Sequence, residues 1–209
     1  MRLILALILL ASQAFAEGET SGDFDYFVLS LGWSPTYCRL EGDARGDDQC
    51  DPRHDYSFTL HGLWPQYESG WPSYCHTVER DPSRAETAAM ADIMGSGGLA
   101  WYEWKKHGRC AGMTAETYFA ASRQVYDNIK IPSVFLNLPK SVIIPAKVVE
   151  QAFLEANPGL DASMITITCK AGMVQEARIC LTKDLEPRSC GMDAARDCKM
   201  PDALMEAVR

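Results

Sequence analysis

The chain has 209 residues, a formal net charge of −8, 47% hydrophobic and 23% charged residues, and eight cysteines. That length suits one domain of ordinary size. The acidic balance argues against long, non-specific tracking along nucleic acid, but it leaves room for a small site that holds one phosphate.

The first residues, MRLILALILLASQAFA, combine Arg2, an apolar run from Leu3 to Leu10 and the small-residue pattern Ala14-Phe15-Ala16. They read as a secretory signal, residues 1–16, and the run is shorter than the roughly 20 residues a membrane span needs. Cleavage after Ala16 leaves residues 17–209 as a single domain, and loss of Arg2 takes the charge from −8 to −9. No later segment is apolar enough to span a bilayer, so the mature protein is expected to be exported and free of the membrane.

FDYFVLSLGW (24–33) is rich in aromatic and branched residues and predicts a strand. CRLEGDARGDDQCDPRHD (38–55) is polar and rich in Gly and Asp, a loop with Cys38 and Cys50 placed to staple it. YSFTLHGLW (56–64) predicts a second strand, central in the sheet. SRAETAAMADIM (83–94) opens a helix at Ser83, with Glu86 three residues on in the capping-box position. GLAWYEWKKHG (98–108) predicts a short helix closed by Gly108, and residues 115–131 a longer amphipathic one. Pro145 suits the first turn of a further helix over 145–157. MITITCK (164–170) and MVQEARICLT (173–182) alternate like paired strands joined through Ala171-Gly172. Strands before and after central helices imply an α+β domain: a central antiparallel sheet with helices packed around it, stapled by disulfides. There are no repeats, low-complexity tracts or long Gly/Ser linkers to divide it.

All eight cysteines lie beyond the signal. An even count in an exported chain argues for four disulfides, although eight cysteines allow 105 pairings and spacing does not choose among them. Metal ligation is the competing reading. It is disfavoured because no C-x-x-C or H-x-x-x-H pair places two ligands together, and no metal or other cofactor is expected.

Two stretches carry candidate chemistry. In FTLHGLWPQ (58–66), His61 is either a working acid or base or a packed residue of a strand. In WYEWKKHGRC (101–110), helical spacing puts Glu103, Lys106 and His107 on one face. A carboxylate, an ammonium and an imidazole together suit proton transfer beside an anionic centre. The plain alternative is a solvated charged face, where each such pair contributes only about 0.2–0.5 kcal/mol. Trp101 and Trp104, flanking these charges, add a little to the functional reading, since a solvated face does not need them, and their plain alternative is a place in the core.

Taken together, these stretches resemble the two active-site segments of the ribonuclease T2 family, the acid, transferase-type endoribonucleases. The first segment in that family reads close to F-T-L-H-G-L-W-P, met without a gap from Phe58 to Pro65. The second reads close to H-E-W-x-K-H-G-T-C, met at Glu103, Trp104, Lys106, His107, Gly108 and Cys110. LGWSPTYC (31–38) is similar to the family's opening Trp-Pro-Cys strand. The resemblance implies that His61 and His107 are the catalytic pair, with Glu103 and Lys106 in support. His107 would take the proton of a ribose 2′-hydroxyl and His61 would protonate the departing 5′-oxygen. The expected products are a 2′,3′-cyclic phosphate and then a 3′-phosphate, the partner is single-stranded RNA, and DNA is inert because it lacks the 2′-hydroxyl. One imidazole must be charged and the other neutral, which implies a bell-shaped, mildly acidic rate profile.

Trp64 matches a family aromatic at a base site, where stacking tolerates any base and base specificity is low; it serves equally well as a cover for the core edge. Three positions depart from the pattern: Tyr102 stands where many members carry a third histidine at the phosphate, Gln66 where plant members have aspartate near the base, and Arg109 where threonine is common. Tyr102 and Gln66 therefore join Trp64 as candidate substrate-binding residues. The resemblance further implies the disulfides Cys38–Cys50, Cys75–Cys110, Cys169–Cys198 and Cys180–Cys190. The expected form is a monomer, periplasmic in a bacterial host or otherwise secreted. A secreted binding protein that has lost catalysis is the rival reading, opposed by the intact quartet of His61, Glu103, Lys106 and His107. A metal-dependent phosphoesterase is opposed by the lack of clustered carboxylates and histidines. His54 and His76 match no motif element and read as loop histidines.

Overall fold

A computed structural model describes residues 19–209; the signal segment read over residues 1–16 lies outside the described residues. Strand β1 (Tyr26–Trp33) pairs antiparallel with β2 (Phe58–Gln66) on one side and, later in the chain, with β5 (Met173–Leu181) on the other. Between β1 and β2 run α1 (Ser34–Tyr37), a π-helical turn over Cys38–Gly42 and α2 (Asp43–Arg45), which stops at Gly46 in the left-handed region, φ 65°. The stretch expected to be loop thus begins as helical turns. Pro35 near the first turn starts the helix, and the Cys38–Cys50 disulfide holds the return leg against it.

The helices follow: α3 (Arg84–Ala88), α4 (Ala91–Met94), α5 (Gly97–Lys106), α6 (Ala115–Asn128), α7 (Ser133–Leu136) and, after the short strand β3 (Val142–Ile144), α8 (Ala146–Ala156). The Ser83/Glu86 capping box is formed at α3. Ser96 caps α5 by accepting from Leu99 N at 3.1 Å. The single helix expected over 83–94 is broken into α3 and α4, and Gly95, φ 82°, ends the second piece. β4 (Ile165–Lys170) and β5 form the expected hairpin through Ala171 (φ 50°) and Gly172 (φ 82°), the two positive φ values that a two-residue turn of primed type requires. β6 (Ala203–Met205) closes the chain against β3.

The six strands run in the order β2-β1-β5-β6-β3, with β4 paired to β5. All pairings are antiparallel except the short contact of β5 with β6 at Met173–Leu204. β2 is therefore an edge strand rather than the central one the apolar run suggested. Pro65, which has no N–H for a ladder, explains why it tolerates only the edge. One face of the sheet carries Phe27, Leu29, Leu31 and Trp33 of β1 and Val174, Ala177, Ile179 and Leu181 of β5 into the main core. Phe58 anchors β2 there, its ring 4.9 Å from Trp33 and 5.2 Å from Phe153 of α8; such aromatic pairs add about 0.5–1.5 kcal/mol beyond simple burial. The four disulfides are Cys38–Cys50, Cys75–Cys110, Cys169–Cys198 and Cys180–Cys190.

Candidate active site

The opposite face of the sheet lines a cavity of about 950 Å³. A bulge in β2 aims His61 into it. Ser30 faces Gly62 and Leu31 faces Leu60, so His61 is the extra residue with no partner on β1. The alternation is shifted by one at that point. Leu60 and Leu63 both enter the core, while Thr59, His61, Trp64 and Gln66 all border the cavity. Without the bulge, strict alternation would put Thr59 and Trp64 on opposite faces.

The second motif arrives on α5. Glu103 is buried at the inner side of the helix, Lys106 is its last residue, and His107 caps it, with its N–H donating to Glu103 O at 2.8 Å. Tyr102, half exposed, borders the same cavity, with Lys106 Nζ 5.7 Å from its ring centre. The candidate catalytic and substrate-binding residues His61, Trp64, Gln66, Tyr102, Glu103, Lys106 and His107 therefore all lie on one cavity. His54 and His76 do not border it: His54 stacks on Tyr56, and His76 is an exposed residue beside Thr20.

The groups interlock around Trp64. Its indole lies edge-on to His61 (centroids 5.1 Å) and stacks on His107 (5.2 Å, 29° between planes). Its Nε1 donates to Glu103 Oε2 at 2.6 Å. Glu103 Oε1 also lies 3.7 Å from His61 Nε2. Gly62 makes this approach possible, because a Cβ there would collide with Glu103 Oε2 and Trp64 Nε1. Gln66 is buried and donates Nε2 to Pro65 O at 3.0 Å.

Two partners were not among the sequence candidates. Glu176 and Arg178 on β5 also face the cavity. Glu176 Oε1 sits 2.6 Å from His61 Nδ1, while Arg178 donates Nε and Nη2 to Glu176 Oε2 at 2.8 and 2.6 Å. The Arg178 guanidinium lies 5.2 Å from the Trp64 ring centre. The sequence held a faint signal in MVQEARICL, where two charges two residues apart share one face of a largely apolar strand. The role of Arg109 is also resolved. Its Nη2 grips both Asp81 oxygens at 2.7 Å, and Asp81 Oδ1 accepts Trp104 Nε1 at 2.8 Å, so this departure from the family motif braces the end of α5.

Burial and charge push the two imidazoles apart. Burial pulls His61 down, but the hydrogen bond to Glu176 and the charges of Glu103 and Glu176 outweigh it, raising its pKa above the ordinary 6.5. His107 moves the other way: burial first, then the positive charges of Lys106 and His61, lower it to about 3. Burial raises Glu103, against the opposing pull of His61, Trp64 and Lys106. For Glu176 burial is overcome by His61 and Arg178, and the carboxyl is held down at about 2. His107 Nδ1 is buried without a hydrogen-bond partner among the described residues.

The Ribonuclease T2 family model matches residues 24–190. A ribonuclease of Aeromonas hydrophila is 30% identical over 208 residues, covering 95% of this chain and 93% of that one. Ribonuclease I of Escherichia coli K12 is 26% identical over 159 residues, 57% of this chain and 59% of the relative. Among solved structures, an RNase-related protein from Calystegia sepium superposes with a TM-score of 0.67 at 21% identity, covering 89% of this chain and 98% of that one. Trichomaglin, described as an S-like ribonuclease, gives 0.66 at 22% identity over 90% and 100%. With the fold, the order of the two histidine segments and the family match in agreement, the chain belongs to the ribonuclease T2 family.

Proposed function

We propose that this ribonuclease cleaves single-stranded RNA by transphosphorylation, with His107 as base and His61 as acid and no metal cofactor. The observation that carries the reading is the pair of imidazoles of opposite proton affinity set against one indole on one cavity. In mildly acidic solution His107 is neutral and takes the proton of the ribose 2′-hydroxyl. The 2′-oxygen attacks the adjacent phosphorus, and His61 gives its proton to the departing 5′-oxygen. A 2′,3′-cyclic phosphate results, and water then opens it to a 3′-phosphate with the two roles reversed. The nucleophile belongs to the substrate, so the first step calls for no metal-bound water, and DNA offers no such oxygen.

Lys106, Arg178 and protonated His61 line the cavity beside the buried carboxylates Glu103 and Glu176, cations placed for charge developing on a phosphoryl group within a chain of net charge −8. Trp64, Trp71 and Tyr102 line the same space, and recognition by stacking supports low base specificity. The four disulfides support an oxidising compartment, periplasmic or extracellular. Among the described residues no helix is long and apolar enough to cross a membrane. Residues 1–16 serve as the export signal, and residues 17–209 act as a single monomeric catalytic domain.

The test is digestion of yeast RNA in EDTA at mildly acidic pH, with end groups identified by mass spectrometry. Activity undiminished by EDTA, cyclic-phosphate ends and loss of cleavage in both His61→Ala and His107→Ala are expected. Cleavage that leaves 5′-phosphates, or that stops in EDTA, overturns the mechanism; no cleavage at any acidic pH leaves the binding-protein reading.

A further inference from the structure

We infer that Glu176, held in place by Arg178, is a positioning residue that sets the orientation and tautomer of His61, leaving Nε2 as the atom that delivers the proton. The inference deepens the proposed reaction and rests on His61 being its acid.

The geometry is that of an imidazole oriented from behind. Glu176 Oε1 lies 2.6 Å from Nδ1, so Nδ1 keeps its hydrogen toward the carboxylate and Nε2 is left on the other side of the ring. The second oxygen of Glu176 is taken by two guanidinium hydrogen bonds from Arg178, which fixes the plane of the carboxylate. The Glu176 side chain is 3% exposed against 37% for His61, so the orienting group is buried while the proton-bearing ring stays open to the cavity.

The sheet explains how a residue 115 positions away reaches His61. Glu176 pairs with Gly32 on β1, and Gly32 pairs in turn with Thr59 on β2. The carboxylate thus reaches across β1 at a residue with no side chain, where an added Cβ would lie in ordinary contact with His61 Cβ at 3.9 Å. The bulge that turns His61 toward the cavity completes the alignment.

Charge supports the geometry. The groups facing His61 are Glu176 and Arg178 from β5, Glu103 from α5, His107 at its end, and Glu41 from the π-helical turn. Of these only Glu176 makes a hydrogen bond to the ring. It remains anionic in acid, because His61 and Arg178 outweigh the effect of its burial. Glu103 adds its charge to that of Glu176 but makes no hydrogen bond to the ring, its Oε1 lying 3.7 Å from Nε2.

The decisive experiment follows kcat/KM against pH for Glu176→Gln, Glu176→Asp and Arg178→Gln with a dinucleotide substrate, alongside NMR titration of the His61 ring. In Glu176→Gln the alkaline limb moves to lower pH by about one unit, the scale of a single close charge, while the acid limb set by His107 stays. Glu176→Asp restores part of the shift. Arg178→Gln lowers kcat but moves the alkaline limb upward, because a positive charge beside His61 has gone. An alkaline limb in Glu176→Gln that superimposes on the parent, or an equal loss at every pH, overturns the inference. If His61→Ala keeps parental activity, the acid assignment itself fails and takes the inference with it. If His61→Ala is inactive and the ring titrates in Glu176→Gln as in the parent, the positioning role alone falls.

Discussion

Trp64 donates its indole N–H to Glu103 Oε2 at 2.6 Å while its ring stacks on His107. The tryptophan is therefore built into the cluster proposed to be catalytic, joining the strand motif to the helix motif through one side chain. Trp64→Phe keeps an aromatic ring beside His107 but removes the only tryptophan donor that Glu103 uses. With a buried carboxyl oxygen left unpaired, stability should fall by about 1–3 kcal/mol and kcat about tenfold, equivalent to about 1.4 kcal/mol at the transition state. Urea unfolding and steady-state kinetics of the variant measure both, and an unchanged kcat with an unchanged midpoint contradicts the linkage.

Lys106 shapes the acid limb of the rate profile. Burial and then the Lys106 charge lower His107 to about 3, so His107 is a free base across the mildly acidic range and is lost as a base only when the pH falls toward that value. Lys106→Gln removes the second cause and leaves the first. The acid limb of kcat/KM should therefore move to higher pH while staying below the ordinary imidazole range, and kcat should drop by about 10²–10³ for loss of a charge proposed to stabilise the transition state. An acid limb that stays put shows that Lys106 does not act on His107.

Gly62→Ala tests the contact between the two motifs. The added methyl meets Glu103 Oε2 and Trp64 Nε1, two atoms already bonded to each other. Overpacking of this kind costs about 1–3 kcal/mol, and here the displaced groups are those of the site, so activity should fall well beyond what the loss of stability explains. Gly159→Ala is the matched control: nothing lies within 4 Å of its added Cβ, and its stability should stay within about 0.5 kcal/mol of the parent. Thermal melts and RNA cleavage of the two variants, measured together, separate the site effect from a general glycine effect.

Away from the site, Glu150 of α8 is buried beside Asp197, and burial followed by that neighbour raises its pKa from 4.5 to about 7. A carboxyl whose folded pKa exceeds its unfolded value favours the folded state when protonated. Its contribution is complete below about pH 4.5 and is lost as the pH rises through about 7. Glu150→Gln should flatten the fall in denaturation midpoint between these limits and leave the acidic values nearly unchanged. Parallel pH–stability curves for parent and variant contradict the assignment.

Much of this molecule is legible along the chain because the relevant interactions are local. The Ser83/Glu86 capping box spans three residues, the β4–β5 turn needs only the two positive φ values of Ala171 and Gly172, and Glu103, Lys106 and His107 come together through helical spacing alone. The quartet could be named for the same reason: each motif is contiguous, and its chemistry follows from residue type and interval.

The remaining features depend on what lies across the sheet. Whether β2 is central or at an edge, and whether His61 points to core or cavity, is set by the register against β1, where the bulge shifts the alternation. No pattern within FTLHGLWPQ encodes a partner strand, so its apolar content read as a central position and its histidine as ambiguous. Glu176 and Arg178 reach His61 only because β5 lies beside β1 at Gly32, and Arg109 finds Asp81 only once α5 is docked. Side-chain identity supplied the two imidazoles proposed as acid and base. Strand pairing oriented His61 and the docking of α5 buried His107, and their opposed proton affinities follow because burial and neighbouring charge exist only after the chain has folded.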